Sequence, residues 1–199
     1  MELSRATMGR LPGYLTYLRR LPGNGYISAT SIARELRLGE VQVRKDLSAV
    51  CGSGKPKVGY EVSVLSQSIE RVLGANTGCE AIIVGAGKLG MALLSFGGFA
   101  EYGITVSHAF DLRVGKETDT VSPMEALPSY CAMHQVEIGI IAVPPEAAQE
   151  VADQLIRSGI RAIWCFATVK LHVPDGVTVQ YENMALSLAH LHQKVKNTH

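Results

Sequence analysis

The chain has 199 residues, of which 47% are hydrophobic, and its formal net charge is +1, so it is long enough for one large domain or two small ones with a buried core. No stretch approaches the roughly 20 uninterrupted apolar residues of a membrane-spanning helix, and residues 1–10 lack the apolar core of a signal peptide, so we expect a cytoplasmic protein. The four cysteines are far apart and form no C-x-x-C pair, which indicates neither a zinc site nor a disulfide framework.

The charges are unevenly distributed along the chain. Residues 1–60 contain ten Lys and Arg against four Asp and Glu, a surplus of six positive charges, so the remaining residues must carry a surplus of five negative charges to give +1. This asymmetry is expected when one end of a protein contacts the phosphates of a nucleic acid.

Three short helices are predicted in the first fifty residues. Leu and Tyr recur at spacings of three and four over residues 10–21, which predicts an amphipathic helix with Pro12 near its first turn. The hydroxyls around Ser31 can cap a second helix, which Gly39 ends, and residues 40–50 predict a third. Two short helices joined by a tight turn that contains glycine are typical of a helix-turn-helix.

The third helix and the segment after it carry basic side chains. On the helix, Val43 and Leu47 share one face, which leaves the polar residues free for a DNA groove. Glycines and a proline over residues 52–59 predict a hairpin that ends in an alternating strand, GYEVSVL, and so forms a wing. The predicted DNA-binding residues are Ser31, Gln42, Arg44, Lys45, Lys55 and Lys57. The same charges would also suit a solvated helix face that binds nothing.

The pattern changes after residues 74–78, where strands begin to alternate with helices. Apolar strands are predicted at residues 81–84, 104–110, 138–143 and 162–166, with helices at residues 91–99 and 146–158. This alternation indicates a parallel sheet. The predicted fold class is α/β, with a winged-helix domain at residues 1–76, a Rossmann-like doubly wound parallel sheet at residues 77–182, and a C-terminal helix within residues 183–199.

The sequence G-x-G-x-x-G at residues 85–90 lies between an apolar strand and an apolar helix. In this context Gly85 allows a tight turn, Gly87 lets a pyrophosphate approach the backbone, and Gly90 lets the helix pack closely on the strand. Asp111, 21 residues after Gly90, is placed to bond ribose hydroxyls and to repel a 2′-phosphate, which favours NAD or NADH over NADP. Arg113, two residues further on, could instead reach a 2′-phosphate.

The predicted nucleotide site includes this turn and residues that follow the later strands. Its residues are Gly85, Ala86, Gly87, Lys88, Leu89, Gly90, Asp111, Val143, Pro144 and Phe166. A glycine turn that binds nothing is the alternative. About one hundred residues remain for this part of the chain, which is the size of a sheet with its helices and no substrate domain. We therefore predict a regulator and not an enzyme; a small NAD-dependent oxidoreductase or an NAD-binding scaffold is the alternative.

Over nearly its whole length the chain resembles the Rex family of redox-responsive transcriptional repressors. The resemblance rests on RLPGYL, VQVRKDLS, GYEVSVL, VGAGKLG, AFD, AVPPEAAQEVAD and SGIRAIWCFA. It implies a homodimer that binds a palindromic operator in double-stranded DNA when NADH is low and releases it when NADH binds. It also implies that Gln42, Arg44 and Lys45 lie in the major groove or on its phosphates, that Lys55 and Lys57 approach the minor groove, and that a C-terminal helix at residues 184–195 is exchanged between subunits.

Three positions depart from the pattern of that family. An Arg, a Tyr and an Asp form the network that distinguishes the redox forms in Rex, and the matching positions here are Thr16, Phe96 and Asn183. None of the three supplies the ionic or hydroxyl partner of that network. The resemblance therefore implies a divergent Rex-like paralogue, with either a different response to the cofactor or none.

Overall fold

Helix α1, Arg5–Leu18, begins the chain in the computed structural model, which describes residues 3–74, 78–114 and 118–196. The Ser4 side chain accepts a hydrogen bond from the backbone N–H of Thr7 and caps the helix. The helix therefore begins five residues before the predicted start, and Pro12 lies in its interior. The predicted position of Pro12 was wrong, because the cap at Ser4 and the buried apolar face extend the helix towards the N-terminus.

The helix-turn-helix is formed by α2, Ala29–Glu35, and α3, Glu40–Cys51. Ser28 caps α2 by accepting from the backbone N–H of Ser31. Before α2 lies the short strand β1, Tyr26–Ile27, which pairs antiparallel with β2, Tyr60–Glu61. This pairing joins the segment before α2 to the segment after α3, and a bridge between Lys55 and Gly59 closes residues 55–59 into a hairpin.

Helix α4, Val62–Val72, directly follows β2. The predicted alternating strand was therefore wrong beyond Glu61. Val62, Leu65 and Ile69 are buried at helical spacing, and this burial against α1 to α3 outweighs the local alternation of V-S-V, which suits either structure. The packed residues of the core that α1 to α4 share are Leu11, Tyr14, Leu15, Leu18, Ile32, Val43, Leu47, Leu65 and Ile69.

The six-stranded parallel sheet has the order β5-β4-β3-β6-β7-β8. Its strands are β3 Cys79–Val84, β4 Ile104–Asp111, β5 Val121–Pro123, β6 Val136–Ile141, β7 Ala162–Cys165 and β8 Thr178–Tyr181. All five pairings are parallel. The chain thus runs outwards from β3 in one direction and then returns to β6 on its other side, which is the doubly wound Rossmann order with a switch point between β3 and β6.

The helices after β3 are α5 Lys88–Leu94, α6 Leu127–Met133, α7 Pro145–Arg157 and α8 Met184–Lys196. Helix α5 ends earlier than predicted, at Leu94, and a 3-10 helix, Gly97–Tyr102, begins with two successive glycines. Side chains of β3 alternate between two apolar clusters. Ile82 and Val84 pack with α6 and α7, whereas Ala81 and Ile83 face the cluster that includes Trp164.

The chain divides into two compact units. The first, here called the head, comprises Met1–Gly78 with Ala100–Gly103, and the second, the body, comprises Cys79–Phe99 with Ile104–His199. The predicted boundary between residues 76 and 77 lies outside the described residues, as does the end of the C-terminal segment at residues 197–199. The predicted domain limits stay a prediction.

Candidate functional site

Helix α3 presents a polar stripe to the surface of the head. Val43 and Leu47 are fully buried in the core. The exposed residues that share the opposite face are Val41, Arg44, Lys45 and Ser48. Arg44 pairs with Glu40 one turn earlier on the same exposed surface. An exposed pair of this kind contributes little to stability, so Arg44 can exchange its carboxylate partner for another acceptor.

Gln42 does not belong to this free stripe, because its amide nitrogen donates to the carboxylate of Asp46 at 3.0 Å. Asp46 is almost fully buried and accepts two bonds from the Arg10 guanidinium, at 2.7 and 2.9 Å. It also accepts from the hydroxyls of Tyr14, at 2.7 Å, and Thr7, at 3.1 Å. Five hydrogen bonds therefore converge on one carboxylate and join α1 to α3.

The electrostatics of this cluster are dominated by its hydrogen bonds. Burial alone would raise the pKa of Asp46, but the bonds from Arg10, Tyr14, Gln42 and Thr7 outweigh it and hold the pKa of the carboxyl below its usual value. Burial, together with the bond to Asp46, raises the pKa of Tyr14 to about 12. Asp46 thus stays ionised and fixes the orientation of α3.

A groove of about 580 Å³ lies between α3 and the hairpin at residues 55–59 of the head. Its basic lining residues are Arg44, Lys55 and Lys57, and Ser48 and Thr30 add hydroxyls. Three cations around one open groove are suited to bind the phosphates of a nucleic acid. Of the predicted residues, Arg44, Lys55 and Lys57 meet here, whereas Ser31, Gln42 and Lys45 do not line the groove.

Lys55 is held in place by Tyr26, a residue that was not among the predicted site residues. Its ammonium donates to the Tyr26 hydroxyl at 2.9 Å and lies 5.0 Å from the centre of the ring. The hydrogen bond to Tyr26 raises the pKa of the Lys55 ammonium. The two residues are 29 positions apart, and only the pairing of β1 with β2 brings them together.

The glycine turn follows β3 at the switch point of the body. Gly85 has a φ of 110°, and a Cβ there would lie 2.7 Å from the carbonyl carbon of Ala142. A Cβ on Gly90 would lie 1.8 Å from the carbonyl oxygen of Gly85. These two glycines are therefore required by the backbone itself, as predicted for a tight turn and a close helix.

Gly87 differs from both: among the described residues, apart from its own chain neighbours, no atom lies within 4 Å of the position that its Cβ would occupy. Its side of the turn opens into a cavity of about 410 Å³, whose lining includes Gly85, Gly87, Asp111, Val143 and Pro144. A Cβ at this position would fill space in the cavity and clash with none of the residues that the structure describes. The absence of a side chain here thus suits the close approach of a pyrophosphate.

Asp111 ends β4 beside this cavity. Its carboxylate accepts from the backbone N–H of Ala86 at 2.7 Å and from that of Arg113 at 2.8 Å. A carboxylate has about four acceptor positions, so Asp111 can also accept bonds from ribose hydroxyls. The bond to Ala86 ties the end of β4 to the glycine turn, and Arg113 also lines the cavity.

The other predicted cofactor residues differ in their exposure and in their position relative to the cavity. Lys88 and Leu89 open α5, where Lys88 is exposed and Leu89 half-buried. Phe166, after β7, packs against Trp164 with ring centres 4.5 Å apart and does not line the cavity. The geometry of residues 3–74, 78–114 and 118–196 therefore groups Gly85, Gly87, Asp111, Val143 and Pro144 but leaves Phe166 in an apolar cluster.

The three positions that depart from the Rex pattern have ordinary structural surroundings. Thr16 is exposed on α1. Phe96 is 58% exposed and contacts Phe99 edge-on, with ring centres 5.0 Å apart. The Asn183 side chain accepts from the backbone N–H of Leu186 at 2.8 Å, so it caps α8.

In residues 3–74, 78–114 and 118–196, no group of three or more His, Cys, Asp or Glu side chains could hold a metal ion. Within the same ranges, no helix is both long enough and apolar enough to cross a membrane.

Comparisons with known proteins agree with this architecture. Residues 2–48 match the family model described as a putative DNA-binding protein N-terminus, and residues 76–169 match the model described as a CoA binding domain. Over the whole chain, the fold is similar to that of crystal structures of RSP. One, in complex with beta-NAD+ and operator DNA, has a TM-score of 0.87 and 31% identity and covers 100% of this chain and 94% of its own. Another, in complex with beta-NADH, has a TM-score of 0.79 and 30% identity, with 100% and 96% covered.

Curated relatives match at higher identity. The redox-sensing transcriptional repressor Rex of Treponema denticola is 42% identical over 189 residues, which cover 92% of this chain and 90% of the relative. That of Pelotomaculum thermopropionicum is 40% identical over 195 residues, with 94% and 92% covered. These matches extend over both the head and the body, and the chain therefore belongs to the Rex family of redox-sensing transcriptional repressors.

Proposed function

We propose that the chain represses transcription by binding operator DNA through the groove between α3 and the hairpin at residues 55–59. The observation that carries this proposal is the convergence of Arg44, Lys55 and Lys57 on one open groove beside a helix-turn-helix. In such motifs the second helix enters the major groove and basic side chains contact the phosphates. The RSP structure that contains operator DNA supports the same role.

Substitution of Arg44 tests this assignment. We expect Arg44→Ala to weaken binding to a palindromic duplex, selected by the wild-type chain from a random pool, by about tenfold or more, because one good contact to a base edge contributes about 1–3 kcal/mol. Arg71→Ala is the matched control, since Arg71 is exposed on α4 of the head but does not line the groove. Equal affinity of the Arg44→Ala variant and the wild type would reject α3 as the recognition helix.

We propose that the body binds NAD and NADH in the cavity beside Gly87. The fit is supported by Gly87, which leaves room for a pyrophosphate, and by Asp111, which has acceptor capacity for ribose hydroxyls. When bound, the cofactor supplies the redox signal; the chain binds and orients it. Gly87→Ala should leave the fold intact and weaken binding of both cofactor forms, whereas Gly97→Ala, which also meets no atom within 4 Å, should leave binding unchanged.

The redox response requires a separate measurement, because Thr16, Phe96 and Asn183 stand where the resemblance to Rex places the Arg, Tyr and Asp of the redox network. NAD and NADH are titrated into the protein alone and with the selected duplex bound. A preference for NADH together with release of DNA supports a redox switch on other residues. Equal binding of the two forms with DNA retained would contradict redox control and leave the DNA-binding proposal intact, since affinity can shift only with differential binding.

We propose that the functional unit is a homodimer, with α8 packed against a second copy. None of the side chains of α8 that the structure describes is buried in its own chain. Its apolar side chains are each at least half exposed: Met184, Leu186, Leu188, Leu191 and Val195. A helix with this much exposed apolar surface is expected to be covered by another protein surface. A dimer would also place two recognition helices on the two halves of a palindrome.

We infer that the chain acts in the cytoplasm as a regulator and not as an enzyme. The names of its relatives as transcriptional repressors support this role. The alternative of a small NAD-dependent oxidoreductase predicts turnover of NADH with an added carbonyl substrate, whereas a regulator predicts binding without turnover.

A further inference from the structure

The first turn of α3 contains one exposed side chain that the structure does not otherwise engage. Of the residues in this turn, Glu40 pairs with Arg44, Gln42 donates to Asp46, and Val43 is fully buried. Val41 remains, and it is 66% exposed. In helix-turn-helix proteins the N-terminal residues of the recognition helix are those that contact base edges.

The position of Val41 decides what it can contact. It shares the exposed stripe of α3 with Arg44, Lys45 and Ser48. It lies one turn before Arg44, which lines the groove. An aliphatic side chain cannot accept or donate a hydrogen bond, so it cannot read the polar groups of a base pair. The apolar group that a base pair presents in the major groove is the C5-methyl of thymine.

Local stability gives no competing reason for valine at this position. Valine has a lower helix propensity than alanine because its branched side chain loses rotamer freedom against the preceding turn. At 66% exposure its side chain also gains little from burial in the free protein. Contact with an apolar group of a ligand would bury the side chain and so favour valine over alanine at this position.

We propose that Val41 is a specificity-determining residue that contacts a thymine methyl group in each half of the operator. This inference rests on the proposed DNA-binding function and deepens it, because it names a base that the recognition helix selects. Arg44 and Lys45 then supply contacts to polar base edges or phosphates on the same stripe, and Gln42 serves mainly to hold Asp46.

The test removes the two methyl partners separately. The duplex is the palindrome most enriched by the full-length wild-type chain from a random pool, and each symmetry-related pair of thymines is replaced by deoxyuridine, which removes only the C5-methyl. One such pair should weaken wild-type binding by about fourfold in each half-site, or roughly 15-fold in total, which is the effect of losing one buried methyl contact per half-site. Fluorescence anisotropy at fixed salt measures the Kd.

Val41→Ala should weaken binding to the thymine duplex by a similar factor and should show no further loss with deoxyuridine. Its salt dependence should match that of the wild type, because no phosphate contact is removed. Val64→Ala makes the same chemical change at a 47% exposed position on α4 of the head and should behave as the wild type.

Two outcomes would overturn the proposal: a wild-type chain indifferent to every thymine replacement, or a Val41→Ala variant that keeps the full deoxyuridine penalty. A selected palindrome without a required thymine gives the first outcome. If no duplex is enriched at all, the DNA-binding function itself fails, so the two failures are distinguishable.

Discussion

Removal of the buried carboxylate of Asp46 should loosen the head without unfolding the body. Asp46→Ala leaves the Arg10 guanidinium and the buried hydroxyls of Tyr14 and Thr7 without their acceptor. Breaking a buried ion pair typically costs about 3–5 kcal/mol. Because the Arg10 side chain is 25% exposed and can be rehydrated in part, we expect a loss near the lower limit, about 3 kcal/mol, in the free energy of opening of the head.

Hydrogen exchange of the full chain, followed by mass spectrometry, measures this loss locally. A change of about 3 kcal/mol corresponds to a fall of roughly 150-fold in the protection of amides in α1 and α3. Amides of β6, in the body, should change little and serve as the internal reference. Asp46→Asn keeps the shape and one carbonyl acceptor, so its effect should be smaller, about 1–2 kcal/mol.

Asp153→Ala is the matched control variant. Asp153 also accepts from a glutamine four residues earlier, with Gln149 Nε2 at 2.9 Å, but the surrounding cluster of Arg, Tyr and Thr is a feature of Asp46. We expect a loss of about 0.5 kcal/mol or less from this helical pair. If protection in α1 and α3 of Asp46→Ala stays within threefold of the wild type, the inference that the network fixes the orientation of α3 is refuted.

The pH dependence of the same site has a defined sign. The folded-state pKa of Asp46 lies below its usual value, so the stability that it contributes is present above the unfolded pKa of about 3.9 and is lost as pH falls through the folded value. Head protection in the wild type should therefore decline only below about pH 4. This decline in protection should be smaller in Asp46→Asn, which has no carboxyl at this position. If head protection in that variant falls equally steeply below pH 4, the acid dependence comes from other carboxyls.

Three further predictions concern the groove, the glycine turn and α8. Tyr26→Ala should weaken duplex binding several-fold by releasing Lys55, and Tyr26→Phe, which keeps the ring, should have a smaller effect; unchanged anisotropy titrations for both would show that Lys55 needs no support. Gly90→Ala should destabilise the body by about 3 kcal/mol or prevent folding, because its Cβ would overlap the Gly85 carbonyl; urea unfolding followed by Trp164 fluorescence measures this, and a midpoint equal to that of Gly97→Ala would contradict it. Leu188→Glu, at a 68% exposed position of α8, should convert dimers to folded monomers in sedimentation equilibrium, and an unchanged dimer would place the interface elsewhere.

Much of the fold was predictable because its signals are local. The apolar run of β3, the glycine turn after it and Asp111 at the end of β4 occur in the order that a doubly wound sheet requires. The helix-turn-helix was also predictable, from the hydroxyl residues that cap α2 and from the apolar spacing of α3. Errors arose where a local pattern suited two structures, as at the V-S-V segment of α4, or where no periodicity stood out, as at β5.

The candidate sites were predictable to a smaller extent. The sequence by itself determined the fold class and the family, because periodicity, turn chemistry and motif order are properties of neighbouring residues. Its residues for the two candidate sites stay a prediction. Only the tertiary structure decided that Asp46 is buried, that it accepts from Arg10 at a separation of 36 residues, and that Tyr26 holds Lys55 across 29 residues. Contacts between distant residues depend on how helices and strands pack. In the first turn of α3, this packing buries Val43, whereas Val41 stays 66% exposed.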